Sequence, residues 1–402
     1  MIANYFDSID RLFLTITIII AVTYIVYAVG MKFKRPLVLS GLIAGIIINH
    51  LHLPHRYFDI STCGGLGDIG IVLFMMLLGS QFHFKNLFQH KKDVTISLIS
   101  ISIPLLVGFF FAPLLVKYDA TTHVNASTMT TFSIFIGIAV SMTAFPLLSL
   151  FISHTNLINS KIGNLAVLCG SVDEVVFWLL LGAVLILSQK SEVLGHYAIN
   201  GAIAYAVFII FAAPRIIKFF CSKISSNRNM LGFMLIGCFL SAILADIVNL
   251  HEIFGAFLFG LLLPMDNHHV QKAREQINEF IVLMLLPIYF VKSGMLTNFH
   301  IMFNEKIIIL SILITLIAIV GKFTGAFVTG RMLGYTKAES ILLGSLLNMR
   351  GIIEVVILNI GLELDIISKS IYSMLIIMTI ISNFLATTIS LQINKKIVKA
   401  CD

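Results

Sequence analysis

The chain has 402 residues, of which 58% are hydrophobic and 12% charged, with 32 phenylalanines and a mean hydropathy of +0.99. A water-soluble domain of this length needs a far more polar surface, so the composition excludes one and indicates an all-α polytopic membrane protein. The net charge of +7 needs no nucleic-acid partner, because membrane topology accounts for it.

Apolar runs of roughly 17 to 25 residues, the bilayer-spanning length, give thirteen candidate helices: 11–31, 36–49, 66–84, 94–116, 129–152, 160–188, 195–219, 230–248, 252–264, 275–297, 306–331, 338–361 and 367–391. The second and ninth are short. Lys and Arg accumulate on the cytoplasmic side of membrane proteins. With thirteen crossings and the N-terminus outside, eighteen of the 27 basic residues fall on inner segments and six on outer ones, leaving Lys292, Lys322 and Arg350 within spans. The pattern predicts N-out, C-in, with the inner loops facing anionic lipid.

The first run is preceded by Asp7 and Asp10 and lacks a small-residue cleavage site, so it reads as a retained helix. The tail ends shortly after the last span and no glycine fingerprint occurs, so a single membrane domain over 1–402 is expected, without a soluble nucleotide-binding domain or a cofactor. The cysteines, Cys63, Cys169, Cys221, Cys238 and Cys401, show no metal or disulfide spacing. His50, His52 and His55 share an outer loop, where solvated histidines are the simpler reading than a metal site or pH sensor. Asn125-Ala126-Ser127 fits a glycosylation sequon, a pattern common by chance.

Two stretches resemble each other weakly but in order. Pro36 opens a short span with Gly41 and Gly45, followed by the run Leu66 to Gly79; a short span with Gly255 and Gly260 ends at Pro264 and is followed by Glu279 to Pro287 and Gly294. Seven crossings separate the copies, and an odd separation inverts one relative to the other. Six spans (11–188), a linker (195–219) and six more (230–391) is the arrangement of an inverted-repeat transporter, whose ion site lies where interrupted helices meet. Interruptions occur in the fifth member of each half. Pro146 lacks a backbone donor and disfavours helix at Phe145, in the run Ser141 to Pro146; Asn348 and Gly351 weaken the helix at Asn348-Met349-Arg350-Gly351.

Asp173 and Glu174 lie near the middle of the apolar stretch from Ile162 to Leu187. An ionised side chain there is expensive and marks an ion or proton path. Two like charges so close resist simultaneous ionisation, which lets a proton and a monovalent cation compete for the pair. Lys322, mid-span, needs a carboxylate, and the acid pair is its natural partner in a static bridge or a switch. Arg350 and Glu354, four residues apart, share a helix face and neutralise each other and the helix ends at the break. Asp68, Asp246, Glu252 and Glu279 lie nearer span ends, where solvated interface groups are the simpler reading than cavity-mouth groups.

Together, Leu66 to Gly79, Ser141 to Pro146, Ser171-Val172-Asp173-Glu174-Val175, His251 to Phe257, Gly321-Lys322 and Asn348 to Gly351 with Glu354 resemble the bacterial monovalent cation:proton antiporters related to sodium/proton exchangers. The resemblance covers nearly the whole chain. It implies an NhaA-like fold of crossed discontinuous helices and a homodimer in the bacterial inner membrane, with a core domain that moves like an elevator. It also implies that Asp173 and Glu174 are the essential acids that take Na+, Li+, K+ or H+, helped by oxygens around Thr143, and that Lys322 is the core lysine. The second acid in that family is usually aspartate, so Glu174 departs from the pattern and leaves open which acid is the principal ligand. Other readings are a K+/H+ exchanger or K+ efflux protein, a sodium-coupled symporter of an organic anion, and an intramembrane enzyme with an acid dyad. The last lacks a partner motif such as Gly-x-Gly-Asp.

Overall fold

The structure, a computed structural model, describes residues 8–31, 37–51, 58–81, 91–119, 128–155, 157, 160–188, 200–201, 203–248, 250–297 and 304–401. His52, His55, the sequon at Asn125 to Ser127, Asp7, Pro36 and the loop residues Lys32, Lys34, Arg35, Arg56, Lys85 and Lys190 lie outside them. The described residues are helical throughout, with no strand. In chain order the helices are α1 (Ser8–Met31), α2 (Leu37–Leu51), α3 (Gly64–Gly79), α4 (Lys91–Tyr118), α5 (Met129–Ser141), α6 (Phe145–His154) and α7 (Lys161–Leu187). They continue as α8 (Ile203–Lys223), α9 (Asn227–Ile247), α10 (Glu252–Leu261), α11 (His268–Met295), α12 (Glu305–Met332), α13 (Lys337–Leu346), α14 (Ile352–Glu363) and α15 (Lys369–Cys401).

Among the described residues nine helices are long and apolar enough to cross a bilayer, against thirteen crossings read from the sequence. Ser40–Leu51, Gly64–Gly79 and Glu252–Leu261 are apolar but shorter. The run at 338–361 is divided between α13 and α14. Helices α8 and α11 each contain a wider π turn, at Phe208–Ala212 and Ile281–Leu285. Each turn lies just before a proline, Pro214 or Pro287, whose ring cannot accept a regular preceding turn.

The chain forms two compact units, each drawing one segment from each half of the sequence. The first comprises Met1–Phe82 and Leu185–Leu296. In it α3 and α10 cross closely at Gly79 and Gly260: a methyl group on Gly260 would sit 2.8 Å from the Met76 carbonyl carbon, and one on Gly79 would sit 2.9 Å from the Leu261 nitrogen. Without a hydrophobic drive between helices in lipid, such small-residue crossings supply the packing. Lys292, near the end of α11, bonds both oxygens of Asp68 in α3 at 2.8 Å. Asp68 is therefore an ion-paired group and not simply a solvated one. Asp246 and Glu279 are exposed, and Glu252 is partly so, as the sequence suggests. Cys63 is buried, and that burial together with the nearby Asp59 charge pushes its thiol up to about 11.

The second unit comprises His83–Val184 and Thr297–Asp402. Its apolar core joins Leu148 and Ile152 of α6, Ala166 and Cys169 of α7, and Leu342 to Met349 around α13. Helix α14 turns back into α15 through Asp365, whose φ of +53° is left-handed, a conformation Asp tolerates better than most residues. The N–H groups of Asp365 and Ile366 return to Leu362 O (3.2 Å) and Gly361 O (2.8 Å), which closes α14 with the paired bonds of a Schellman motif.

Gly260→Ala is expected to force α3 and α10 apart and to destabilise the protein by about 1–3 kcal/mol. A thermal-shift measurement in detergent checks this; an unchanged melting temperature would show that the crossing tolerates a methyl group.

Candidate ion-binding site

Two interrupted helices meet in the second unit. The first break is Met142 to Ala144, between α5 and α6, where Pro146 opens α6 and cannot donate into the preceding turn. The second runs from Leu347 to Gly351, between α13 and α14. They touch: Ala144 N–H donates to Met349 O at 2.8 Å, and the Thr143 hydroxyl lies 2.7 Å from Leu347 O. Asn348 turns its amide onto Gly344 O (3.0 Å) and Ile319 O (3.2 Å), which satisfies a carbonyl of the last turn of α13.

The end of α5 is capped by two cations. Arg350 donates to Ala139 O (2.7 Å) and Val140 O (2.5 Å), and Lys322 donates to Ser141 O at 2.8 Å. These carbonyls have no partner within the helix and carry its negative end, so positive side chains stabilise them. Lys322 reaches them from α12, where Gly321 permits close approach to α4: a methyl there would lie 3.1 Å from Pro104 Cβ.

Each of these cations has one carboxylate. Lys322 Nζ is 2.6 Å from Asp173 Oδ2, and Arg350 Nη1 is 2.8 Å from Glu354 Oε1, with all four side chains buried. Asp173 accepts further bonds from the Ser97 hydroxyl of α4 (2.5 Å) and the Thr143 hydroxyl (2.7 Å). Thr143 has one proton and two acceptors, Asp173 and Leu347 O, so it serves one at a time.

Glu174 does not share this arrangement. Adjacent helical residues point about 100° apart, and only Asp173 faces Lys322. Glu174 is fully buried, and neither carboxylate oxygen has a partner at full hydrogen-bond geometry. Its neighbours are the Trp178 indole one turn along α7 and the backbone N–H of Phe145, the first residue of α6. It thus lies at the positive end of a half-helix. Of the five buried Asp, Glu, Lys and Arg side chains around the two breaks, four form two ion pairs, and among the described residues Glu174 has no basic partner.

Most of the residues singled out in the sequence therefore cluster here: Thr143, Phe145, Asp173, Glu174, Lys322, Asn348, Arg350 and Glu354, with Pro146 at the start of α6. Lys322 selects Asp173 and not the pair. Sequence reasoning missed Ser97, one of several serines along α4, and the Leu347 carbonyl, which as a backbone group carries no residue-type signal. Trp178 had one, being the only tryptophan of the chain and four residues after Glu174. His50 belongs to the first unit, on the exposed last turn of α2, with its ring bonded to Ile46 O at 3.2 Å.

A family model described as "Sodium/hydrogen exchanger, transmembrane" matches residues 17–393. The chain belongs to the sodium/hydrogen exchanger family. Among its relatives, the Na(+)/H(+) antiporter NhaS4 of Synechocystis is 30% identical over 394 residues, covering 94% of this chain and 96% of the relative. The Na(+)/H(+) antiporter of Enterococcus hirae is 24% identical, with 94% and 97% covered. The K(+)/H(+) antiporter 1 of Saccharomyces cerevisiae is 30% identical over 385 residues, which are 89% of this chain but 43% of that longer protein. The structure of the sodium proton antiporter MjNhaP1 from Methanocaldococcus jannaschii superposes with a TM-score of 0.62 at 15% identity, covering 96% of this chain and 99% of that one. The all-helical fold is thus the antiporter fold, and the exchanger-family chain is a multi-pass integral membrane protein.

Arg350→Met is expected to leave Glu354 as an uncompensated buried charge and the α5 carbonyls without their cap, a loss of about 3–5 kcal/mol. The double variant Arg350→Met with Glu354→Leu should recover part of it. Melting temperatures of wild type, the single variants Arg350→Met and Glu354→Leu, and the double variant check the cycle; equal losses for the single Arg350→Met and double variants would mean that the cap on α5, and not the ion pair, is what the arginine provides.

Proposed function

We propose that this chain is a secondary antiporter that exchanges a cytoplasmic monovalent cation for external protons, with Glu174 and Asp173 as the carboxylates for which cation and proton compete. The observation that carries this reading is the charge arrangement at the crossed breaks. Glu174 is a buried carboxylate at a positive helix end without a basic partner. A group in that situation is stable only if it holds a proton or a cation. Asp173 is held by Lys322, and an arriving cation displaces the lysine and takes oxygens from Asp173, Glu174 and Thr143. When Thr143 donates to Asp173, the Leu347 carbonyl is left open as a further oxygen ligand. Arg350 and Glu354 neutralise the break and keep it in shape, with Phe145, Pro146 and Asn348 forming the interruptions.

Sodium is the first candidate ion, since the bacterial relatives above carry Na(+)/H(+) antiporter names. Potassium is the second reading, because the yeast relative at the same identity is named a K(+)/H(+) antiporter. Lithium follows sodium through similar size. Alternating access would proceed by an elevator movement of the unit that carries the site, in a homodimer embedded in lipid. The two repeats would run over 11–188 and 230–391 about the linker 195–219. The basic inner loops argue for an N-terminus outside and a C-terminus in the cytoplasm of a bacterial inner membrane.

Proton flux in proteoliposomes containing a pH dye tests the reading. Na+, Li+ and K+ are added in turn to wild type, Glu174→Gln and Asp173→Asn. The expected result is cation-triggered dequenching in wild type that both variants lose, with the effective ion naming the substrate. In wild type the apparent cation KM should rise about tenfold per unit fall in pH below the titration of the site, because one site binds either ligand. Unchanged exchange in both variants would refute the assignment, and a wild type silent to every cation would favour a sodium-coupled symporter of an organic anion.

A further inference from the structure

Helices α14 and α15 run antiparallel from the turn at Asp365, and their buried polar residues pair across the hairpin at regular levels. Tyr372 donates to Asn359 Oδ1 at 2.8 Å. Farther from the turn, the Glu354 carboxylate lies beside the Thr379 hydroxyl, which spends its own proton on Leu375 O at 2.8 Å. Beyond the break, Ser345 and Ser390 are bonded at 2.8 Å. The register set by these rungs brings Arg350 level with Ser382 and Asn383.

At this middle rung the polar atoms are not paired with one another. Arg350 Nε, Glu354 Oε2, Ser382 Oγ and Asn383 Nδ2 are all buried with no hydrogen-bond partner. Ser382 and Asn383 lie one turn from Thr379, and hence about 5–6 Å from the level of Glu354, a gap that one water molecule bridges. The Thr387 hydroxyl donates to the Asn383 backbone carbonyl at 2.7 Å and lies 3.4 Å from Asn383 Oδ1, so the Oδ1 end of the amide faces Thr387 and the NH2 group is the end left to the rung. The four atoms comprise two donors, one acceptor and one hydroxyl that can accept. That is the complement of a single water, which accepts two hydrogen bonds and donates two. Buried waters are found where two to four otherwise unsatisfied polar groups converge.

We propose that one water molecule is bound between α14 and α15, accepting from Arg350 Nε and Asn383 Nδ2 and donating to Glu354 Oε2 and Ser382 Oγ, and that it fixes the plane of the Arg350 guanidinium. Arg350 in turn holds the last carbonyls of α5, three and four residues before Thr143. Asn383 and Ser382 are thereby positioning residues: they touch neither cation nor proton, and act through the water and Arg350. This second half rests on the cation site at Asp173 and Glu174.

The test uses the full-length chain. A structure resolved finely enough to show ordered waters should contain density between Arg350 and Asn383. Asn383→Leu keeps the volume but removes the donor and expels the water, so its melting temperature should fall by roughly 1–4 °C. Asn383→Ser leaves a hydroxyl and room for water and should stay close to wild type. In a dry site leucine would replace an amide with no partner, and the melting temperature would hold or rise; that result, with no density at the rung, overturns the water site. For the positioning role, Asn383→Leu should raise the cation KM several-fold while kcat is retained, and Asn383→Ser should restore it. An unchanged KM beside a lowered melting temperature would overturn that half and leave the water site standing.

Discussion

A helix interrupted inside a bilayer leaves backbone groups that lipid cannot satisfy, each costing several kcal/mol if stranded. The arrangement of the second unit follows from that constraint. Part of it is met reciprocally, by Ala144 N–H on Met349 O and by the Thr143 hydroxyl beside Leu347 O. The carbonyls ending α5 are met by Arg350 and Lys322. Cations recruited for this purpose must be buried, and buried cations need anions. Glu354 and Asp173 supply them, so the ion pairs are a consequence of the broken backbone.

The same logic isolates Glu174. With both cations committed, its carboxylate faces only a half-helix N-terminus and the indole of Trp178. The desolvation penalty of a buried ion is several kcal/mol even after relaxation, and dipoles offset only part of it. In the proposed function a bound proton or cation removes the remainder. The contrast with Lys292 and Asp68 is instructive: that pair is about one-third to one-half exposed, and pairs so exposed contribute about 0–1 kcal/mol. Ion pairing alone therefore does not set the proposed site apart; full burial and an odd charge count do.

Much of this was legible in the residues. Asp173, Glu174, Lys322, Arg350 and Glu354 stand out because charge is rare in apolar runs, and Pro146 and Gly351 mark the breaks because their backbone chemistry is local. The i, i+4 spacing of Arg350 and Glu354 indicates their pairing. Ser97 was not legible: hydroxyls are common in membrane helices, and nothing in α4 sets this one apart. Nor was the division into two units, since each unit is assembled from two distant stretches, while hydropathy reports only on neighbours along the chain. The reading of thirteen crossings rests on the same local signal. Runs such as 36–49 and 252–264 are apolar enough but short, and length alone cannot say how such a helix is accommodated.

The sequence by itself determined that the chain is helical and membrane-embedded, which residues are charged within it and where its helices weaken, because composition, periodicity and backbone chemistry are properties of a segment. Tertiary structure decided which charge meets which. Asp173 and Glu174 are equivalent in a sequence, but they point about 100° apart on a helix. Only the positions of α12 and of the two breaks give Lys322 to the first and leave the second without a cation.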